Sequence, residues 1–281
     1  MSPKSFLWLL LFSCLGYGSA SAQAAATHPP ALVIGHAGSG FLTPLSPFNP
    51  LPPNSMASLK KAFEHGADGV EVDVQLSSDG TAILYHDPTL NTFTAKAGLI
   101  DTMRAEQVLG VPYKAGFLYD LFQDEKIISL EQLLQYLGSM PEKPYLQLDL
   151  RNSTPERRAW YAATLMELLR KYAYPLQKLA FISPDEALLE AFRKEEPQAT
   201  LLVDADDDFD GAFRKVLQHR FQGIVAPSHY VKQEQVRRAQ KQGLQVILFG
   251  GKSRSGIASI LKKEPDAVEV NNVSRMRKLL E

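Results

Sequence analysis

One cysteine, Cys14, occurs in 281 residues, and it falls in an N-terminal stretch that reads as a removable leader. A chain without it has no disulfide framework, no thiolate metal site and no cysteine nucleophile. Charge of one sign is lacking too. With 30 basic against 31 acidic residues, there is no net basic field for nucleic acid and no general pull towards an anionic membrane surface. The apolar run Phe6–Phe12 falls well short of the ~20 residues that a spanning helix needs, so stable membrane insertion is not expected. No internal repeat or low-complexity linker divides the chain. The partner left standing is a small molecule.

What is present begins at the N-terminus. Lys4, the run Phe6–Phe12 and the small residues leading to Ala20-Ser21-Ala22 have the charged, apolar and A-x-A parts of a signal peptide. Residues 1–22 are therefore expected to be removed, and the protein to be periplasmic or secreted. Leu11-Phe12-Ser13-Cys14 loosely matches a lipoprotein box. Phe12 fits that box poorly and the cysteine comes early, so a lipid anchor through Cys14 is the weaker reading.

From Ala31 onward, short β-rich runs alternate with amphipathic helical stretches. Strands are expected at 31–34, 69–76, 82–85, 145–150, 179–182, 200–203, 223–226, 245–249 and 267–270. Helices are expected at 55–65, 129–137, 155–171, 185–194, 210–219, 232–242 and 254–263. In the third of these, Trp160, Leu165, Leu168 and Leu169 fall near one helical face. Such alternation predicts parallel strands with helical crossovers, and at this length an α/β, TIM-type (β/α)8 barrel over residues 27–281. The strand count is one too many. The second and third are joined only by Ser77-Ser78-Asp79-Gly80-Thr81, too short for a parallel crossover of about a dozen residues and typical of a hairpin. Pairing about the Ser78–Asp79 midpoint would set Glu71 opposite His86.

Three polar signatures lie at the ends of apolar strands within residues 34–87. His36 emerges from the first strand in Ile34-Gly35-His36-Ala37-Gly38. In Gly69-Val70-Glu71-Val72-Asp73-Val74, the strand period puts both carboxylates on one face and three valines on the other. Two buried carboxylates side by side repel unless a proton or cation lies between them, and an oxygen-seeking divalent ion such as Ca²⁺ or Mg²⁺ suits the pair. His86 ends the run Ala82–Tyr85, with Asp87 beside it. Singly, each has a bland explanation: a hydrogen-bonded strand-end histidine, or a solvent-facing acidic pair. Their combination argues for a site.

These residues resemble the glycerophosphodiester phosphodiesterases, of the phospholipase C-like phosphodiesterase superfamily. That family carries His-Arg-Gly after strand one, Pro-Glu-Asn-Thr opening a helix, Gly-Ala-Asp before Glu-x-Asp-Val, then a Lys-Asp-Gly turn and His-Asp. Here the counterparts are His36-Ala37-Gly38, Pro52-Pro53-Asn54-Ser55, Gly66-Ala67-Asp68, Glu71-Val72-Asp73-Val74, Ser78-Asp79-Gly80 and His86-Asp87. Leu148-Asp149-Leu150-Arg151 stands where the family usually has Glu-Ile-Lys. The likeness is dense from Ile34 to Leu133 and thinner to about Val273. It implies the phospholipase C-like variant of the barrel and one divalent cation, Ca²⁺ or Mg²⁺, on Glu71, Asp73 and Asp149. It also implies acid–base catalysis by His36 and His86, and metal-dependent cleavage of glycerophosphodiesters to an alcohol and glycerol phosphate. Which histidine is the base, and whether water or the substrate's own hydroxyl attacks, are left open.

The chain also departs from the pattern. Ala37 replaces an arginine expected to hold phosphate, Pro53 replaces a glutamate, and Asp149 is a methylene shorter than the usual glutamate. Arg151 and Lys252 are the candidate phosphate-binding cations, although Lys252 also reads as a solvated loop lysine. The proline-rich run 39–53 is expected to be semi-rigid and to wall the cleft, and residues 88–127 to form an insertion after the His-Asp strand. The acidic run Asp204–Asp210 reads as a helix-capping loop before it reads as a second Ca²⁺ site, and His229 as structural. The competing functional readings are a lysophospholipase- or sphingomyelinase D-like lipid phosphodiesterase, and a non-catalytic metal- or phosphodiester-binding protein.

Overall fold

The computed structural model describes residues 30–41, 49–114, 116 and 120–281; the leader expected at 1–22 and residues 42–48 of the proline-rich run lie outside them. Nine strands form one sheet: β1 (Leu32–Gly35), β2 (Gly69–Leu76), β3 (Ala82–Leu84), β4 (Tyr145–Leu150), β5 (Leu179–Ser183), β6 (Leu201–Asp204), β7 (Gly223–Pro227), β8 (Gln245–Gly250) and β9 (Ala267–Val270). Their order is β1-β9-β8-β7-β6-β5-β4-β2-β3, and β1 also pairs with β2. Eight parallel strands thereby close into a barrel, with β3 left outside as the antiparallel arm of a hairpin.

That hairpin corrects the expected register. Val74 pairs with Leu84, Gln75 with Ile83 and Leu76 with Ala82, so the ladder centres on Asp79, half a residue beyond the Ser78–Asp79 midpoint. Extended upward, it sets His86 opposite Val72 rather than Glu71. The cause is local: the Ser77 amide donates to the Thr81 carbonyl at 3.0 Å, and the Ser77 hydroxyl donates to Asp79 Oδ1 at 2.7 Å. Three residues, not two, then make the turn.

The helices are α1 (Met56–Glu64), the single turn α2 (Ala105–Val108), α3 (Leu130–Gly138), α4 (Arg158–Lys171), α5 (Glu186–Glu195), α6 (Phe209–His219), α7 (Gln233–Gln240), α8 (Arg254–Leu261) and α9 (Val273–Leu280). Their starts are written locally. Ser55 caps α1 by accepting from the Ser58 amide, and Ser129 with Gln132 forms a capping box on α3. In α3, Leu130, Leu133, Leu134 and Leu137 are buried, the i, i+3, i+4, i+7 stripe of a helix laid on a sheet. In α4 the buried stripe is Tyr161, Leu165, Met166 and Leu169. Trp160 is turned one step away and lies under the Arg157 guanidinium, 4.7 Å from the ring centre.

Two apolar layers follow. Val70, Val72 and Val74 belong to the core between sheet and helices, while Ile34, Ile182, Leu202, Val225 and Ile247 fill the barrel interior. Ile83, Tyr85, Leu90, Ile100, Val108, Tyr113 and Ile127 make a third cluster beneath the segment between β3 and α3. Among the described residues, no helix is long and apolar enough to cross a membrane.

Candidate active site

The inward face of the barrel carries charge where its outward face carries valine. Glu71 and Asp73 project inward from β2, and parallel pairing sets Asp73 beside Asp149 of β4. Glu269 of β9 projects inward too, next to Ile34 of β1 and Phe249 of β8. All four carboxylates are buried, between 2 % and 8 % exposed. His36 follows the last residue of β1, and His86 lies two residues past β3.

Backbone geometry fixes His36. The turn after β1 runs through left-handed conformations at Ala37 (φ 47°) and Gly38 (φ 91°). This points the Ala37 amide at Glu71 Oε2, 2.9 Å away. A side chain on Gly38 would sit 2.7 Å from the Ser58 backbone, so only glycine fits. The His36 ring then meets Asn271 Oδ1 through Nδ1 at 3.1 Å, with Nε2 4.0 Å from Glu71 Oε2. On the other wall, His86 Nδ1 lies 2.6 Å from Asp87 Oδ1, which orients that ring. Phe41 stands between the histidines, its ring 5.0 Å from one and 5.7 Å from the other. The start of the proline-rich run does wall the cleft.

Asp73 is held from two sides. Asn54, itself left-handed (φ 62°), donates through Nδ2 to Asp73 Oδ2 at 2.8 Å and accepts the Asp73 amide at 3.0 Å. Arg151 Nε reaches Asp73 Oδ1 at 2.9 Å, and its Nη2 reaches Asp149 Oδ2 at 3.0 Å.

These groups enclose a cavity of about 250 Å³ whose lining has five carboxylates (Glu71, Asp149, Asp204, Asp206, Glu269) against one arginine, Arg151. Burial first, and then the neighbouring carboxylates, push Glu71, Asp149 and Glu269 well above the usual carboxylate range. Burial likewise raises Asp204. Burial also holds the His36 imidazole down at about 4, so it is neutral at pH 7. Burial works against the charge on Arg151, but Asp149 and Asp73 outweigh it and hold the guanidinium above its ordinary value.

Such an acidic cavity fits a divalent cation. Glu71, Asp73 and Asp149 offer oxygens within 4.8 Å of one another, and a ring nitrogen of His36 lies within the same distance of oxygens of Glu71 and Glu269. Asp149 Oδ1 and Glu269 Oε1 are buried without a hydrogen-bond partner among the described residues, a state that costs stability unless a cation or proton satisfies them.

Of the residues singled out from sequence, His36, Glu71, His86, Asp149 and Arg151 line this cavity, and Asp73 adjoins it through its ion pair with Arg151. Lys252 does not; it lines a second cavity on the far side of Phe41. The acidic run divides: Asp204 and Asp206 line the acidic cavity, Asp208 caps α6 by accepting from the Gly211 amide, and Asp210 pairs with Arg238. His229 is exposed and packs on Tyr230. Sequence reasoning gives Glu269 and Asn54 no role in the site. Glu269 had a readable signal, a carboxylate inside the apolar run Ala267-Val268-Glu269-Val270, the same pattern as β2.

The model of the glycerophosphoryl diester phosphodiesterase family matches residues 38–275. The chain belongs to that family. Among curated proteins, a glycerophosphodiester phosphodiesterase of Caldanaerobacter subterraneus is 34% identical over 90 residues, 31% of this chain and 36% of that protein. The chain thus spans well under half the length of the curated relatives it matches. Solved structures share the fold over nearly the whole chain. A putative glycerophosphoryl diester phosphodiesterase of Silicibacter pomeroyi has a TM-score of 0.76 at 20% identity, covering 90% of this chain and 94% of that one. A phosphodiesterase of Oleispira antarctica, in complex with the product sn-glycerol-3-phosphate, has a TM-score of 0.75 at 22% identity, covering 89% and 97%.

Proposed function

We propose that this protein is an exported hydrolase that cleaves glycerophosphodiesters to an alcohol and glycerol phosphate, using a divalent cation and two histidines. The observation that carries this reading is the meeting of His36, His86 and a buried carboxylate cluster around one cavity at the C-terminal end of a closed barrel, where such barrels hold their active sites. Family membership supports the reaction class.

Glu71, Asp73 and Asp149 would hold the cation, Ca²⁺ or Mg²⁺ by their all-oxygen chemistry. The bound ion would neutralise phosphoryl oxygens and draw the anionic diester into an acidic cavity. The remaining work falls to the chain. Arg151, already beside two of these carboxylates, is the nearest protein cation for a phosphoryl oxygen. His36, neutral at pH 7 and with Nδ1 turned to Asn271, presents Nε2 to the cavity and suits proton removal from the attacking hydroxyl. His86, backed by Asp87, suits proton delivery to the departing alkoxide.

Release of glycerol phosphate from glycerophosphocholine and glycerophosphoethanolamine, with EDTA, Ca²⁺ or Mg²⁺, tests the proposal. Metal-restored turnover is expected, and His86→Ala should lower kcat by roughly 10²–10⁴-fold while metal binding by calorimetry stays intact. Turnover in EDTA, or an active His86→Ala protein, would sink the mechanism. Cleavage of choline lysolipids alone would move the substrate to lipids.

A further inference from the structure

Across Phe41 the electrostatics of the barrel mouth reverse. On one side is the acidic catalytic cavity. On the other lies a cavity of about 280 Å³ whose lining includes Lys61 and His65 from the α1 side, Lys252 after β8, and Arg275 and Lys278 of α9. No aspartate or glutamate is among its described lining residues. In a chain with 30 basic and 31 acidic residues, so one-sided a cavity needs an explanation.

None of these charges is consumed by a neighbour. Lys61, Lys252 and Lys278 enter no ion pair among the described residues. Arg275 Nη1 donates to the Lys252 carbonyl at 3.0 Å, which ties the loop after β8 to α9 and leaves the guanidinium charge unneutralised. The cavity also receives the start of α9, where Asn272 accepts the Arg275 amide at 3.1 Å. The Val273 and Ser274 amides have no acceptor within the helix, and the helix end adds a partial positive charge. Cationic side chains and helix amides together are the chemistry of phosphate recognition.

The two cavities are coupled by position. Phe41 lines both. Asn271 lines the basic one and holds His36 Nδ1 with its side chain. An anion seated in the basic cavity would lie beside the scissile diester, not at a remote face. The acidic cavity would repel a second phosphate, so a doubly phosphorylated substrate fits only with that group placed outside it.

We propose that the basic cavity is a subsite for a second phosphate, and that the preferred substrate is a glycerophosphodiester carrying a further phosphoryl group on one of its alcohol arms. This rests on the diesterase reading of the neighbouring site. Lys252 then contacts phosphate as an arm-binding residue, not at the scissile bond.

Two measurements with Mg²⁺ present decide the matter, on the wild type and on Lys61→Gln/Lys278→Gln, with unchanged thermal unfolding as the check on folding. The first is calorimetric binding of glycerol 1,3-bisphosphate against glycerol 3-phosphate, which needs no turnover. The bisphosphate is expected to bind at least tenfold tighter to the wild type, and the double variant to lose that preference. The second is the ratio of kcat/KM for a diester with a terminal phosphomonoester arm over that for glycerophosphocholine, expected to fall by a similar factor. Equal binding of the two ligands to the wild type, or a selectivity ratio that the variant leaves in place, overturns the subsite. Inorganic phosphate that binds as tightly as the bisphosphate, with the ratio unmoved, overturns it in favour of a free-anion site. A bisphosphate preference lost in the variant, in a chain inert on every diester, upholds the anion site and overturns the reaction.

Discussion

Asn54 stands outside the cavity lining and still decides where Asp73 points. Its side chain fills both the amide and one oxygen of Asp73, and its left-handed backbone is one that asparagine tolerates. Asn54→Gly keeps that backbone and deletes only the side chain. Metal affinity is expected to fall by roughly 10–100-fold, the usual scale for losing a group that orients a ligand; calorimetry would read it, and an unchanged affinity would make Asn54 a turn residue only. Glu269 poses the opposite case. It is a buried carboxylate with an unpartnered oxygen beside other carboxylates, so it strains the metal-free protein. Glu269→Gln removes the repulsion between Glu269 and its neighbouring carboxylates and should stabilise the metal-free form by on the order of 1–3 kcal/mol, seen as a higher thermal midpoint, and shrink the rise that added metal produces. A drop in the metal-free midpoint would show that Glu269 is paired.

At the scale of elements, β2 was the most legible piece. Its span, Gly69–Leu76, and the division of Val70, Val72 and Val74 from Glu71 and Asp73 follow from a period of two and the chemistry of the two faces. Helix starts were legible wherever a serine or aspartate cap preceded an apolar stripe, as at Ser55 and Ser129. The hairpin register was not, because it turns on the Ser77 hydroxyl choosing Asp79 and Thr81 as partners, a tertiary outcome that composition does not encode. Nor was the place of Lys252, since a loop residue's direction is set by its anchor, here the Arg275 guanidinium on its carbonyl. The turn after β1 gives this scale its prediction. Gly38→Ala would meet the Ser58 backbone at 2.7 Å with φ at +91°, costing about 1–3 kcal/mol and displacing His36. A lower denaturant midpoint together with a lower kcat is expected; a fall in neither would mean the turn yields freely.

For the whole molecule, barrel closure brings β1, β2, β4 and β9 to one rim although residues 32 and 270 are far apart in the chain. Alternating strands and helices predicted that closure, but nothing in the sequence alone placed Glu269 across from Glu71. Because the cation would bind only the closed form, it should act as a brace on the fold. At a hundredfold excess over Kd, Mg²⁺ or Ca²⁺ should add about 2.7 kcal/mol of stability, visible as a thermal midpoint that rises with metal concentration and falls with EDTA. A midpoint indifferent to metal would argue against a cation among these carboxylates.

The direction of β1 has one more consequence. The chain enters this strand at Leu32 and leaves it at Gly35, with His36 immediately after at the rim that bears the cavity. The described chain therefore begins, at residue 30, towards the opposite end of the barrel. A surface, bead or fusion partner attached at residue 30 would leave the acidic cavity facing open solution, so a protein immobilised there should keep its access to dissolved substrates.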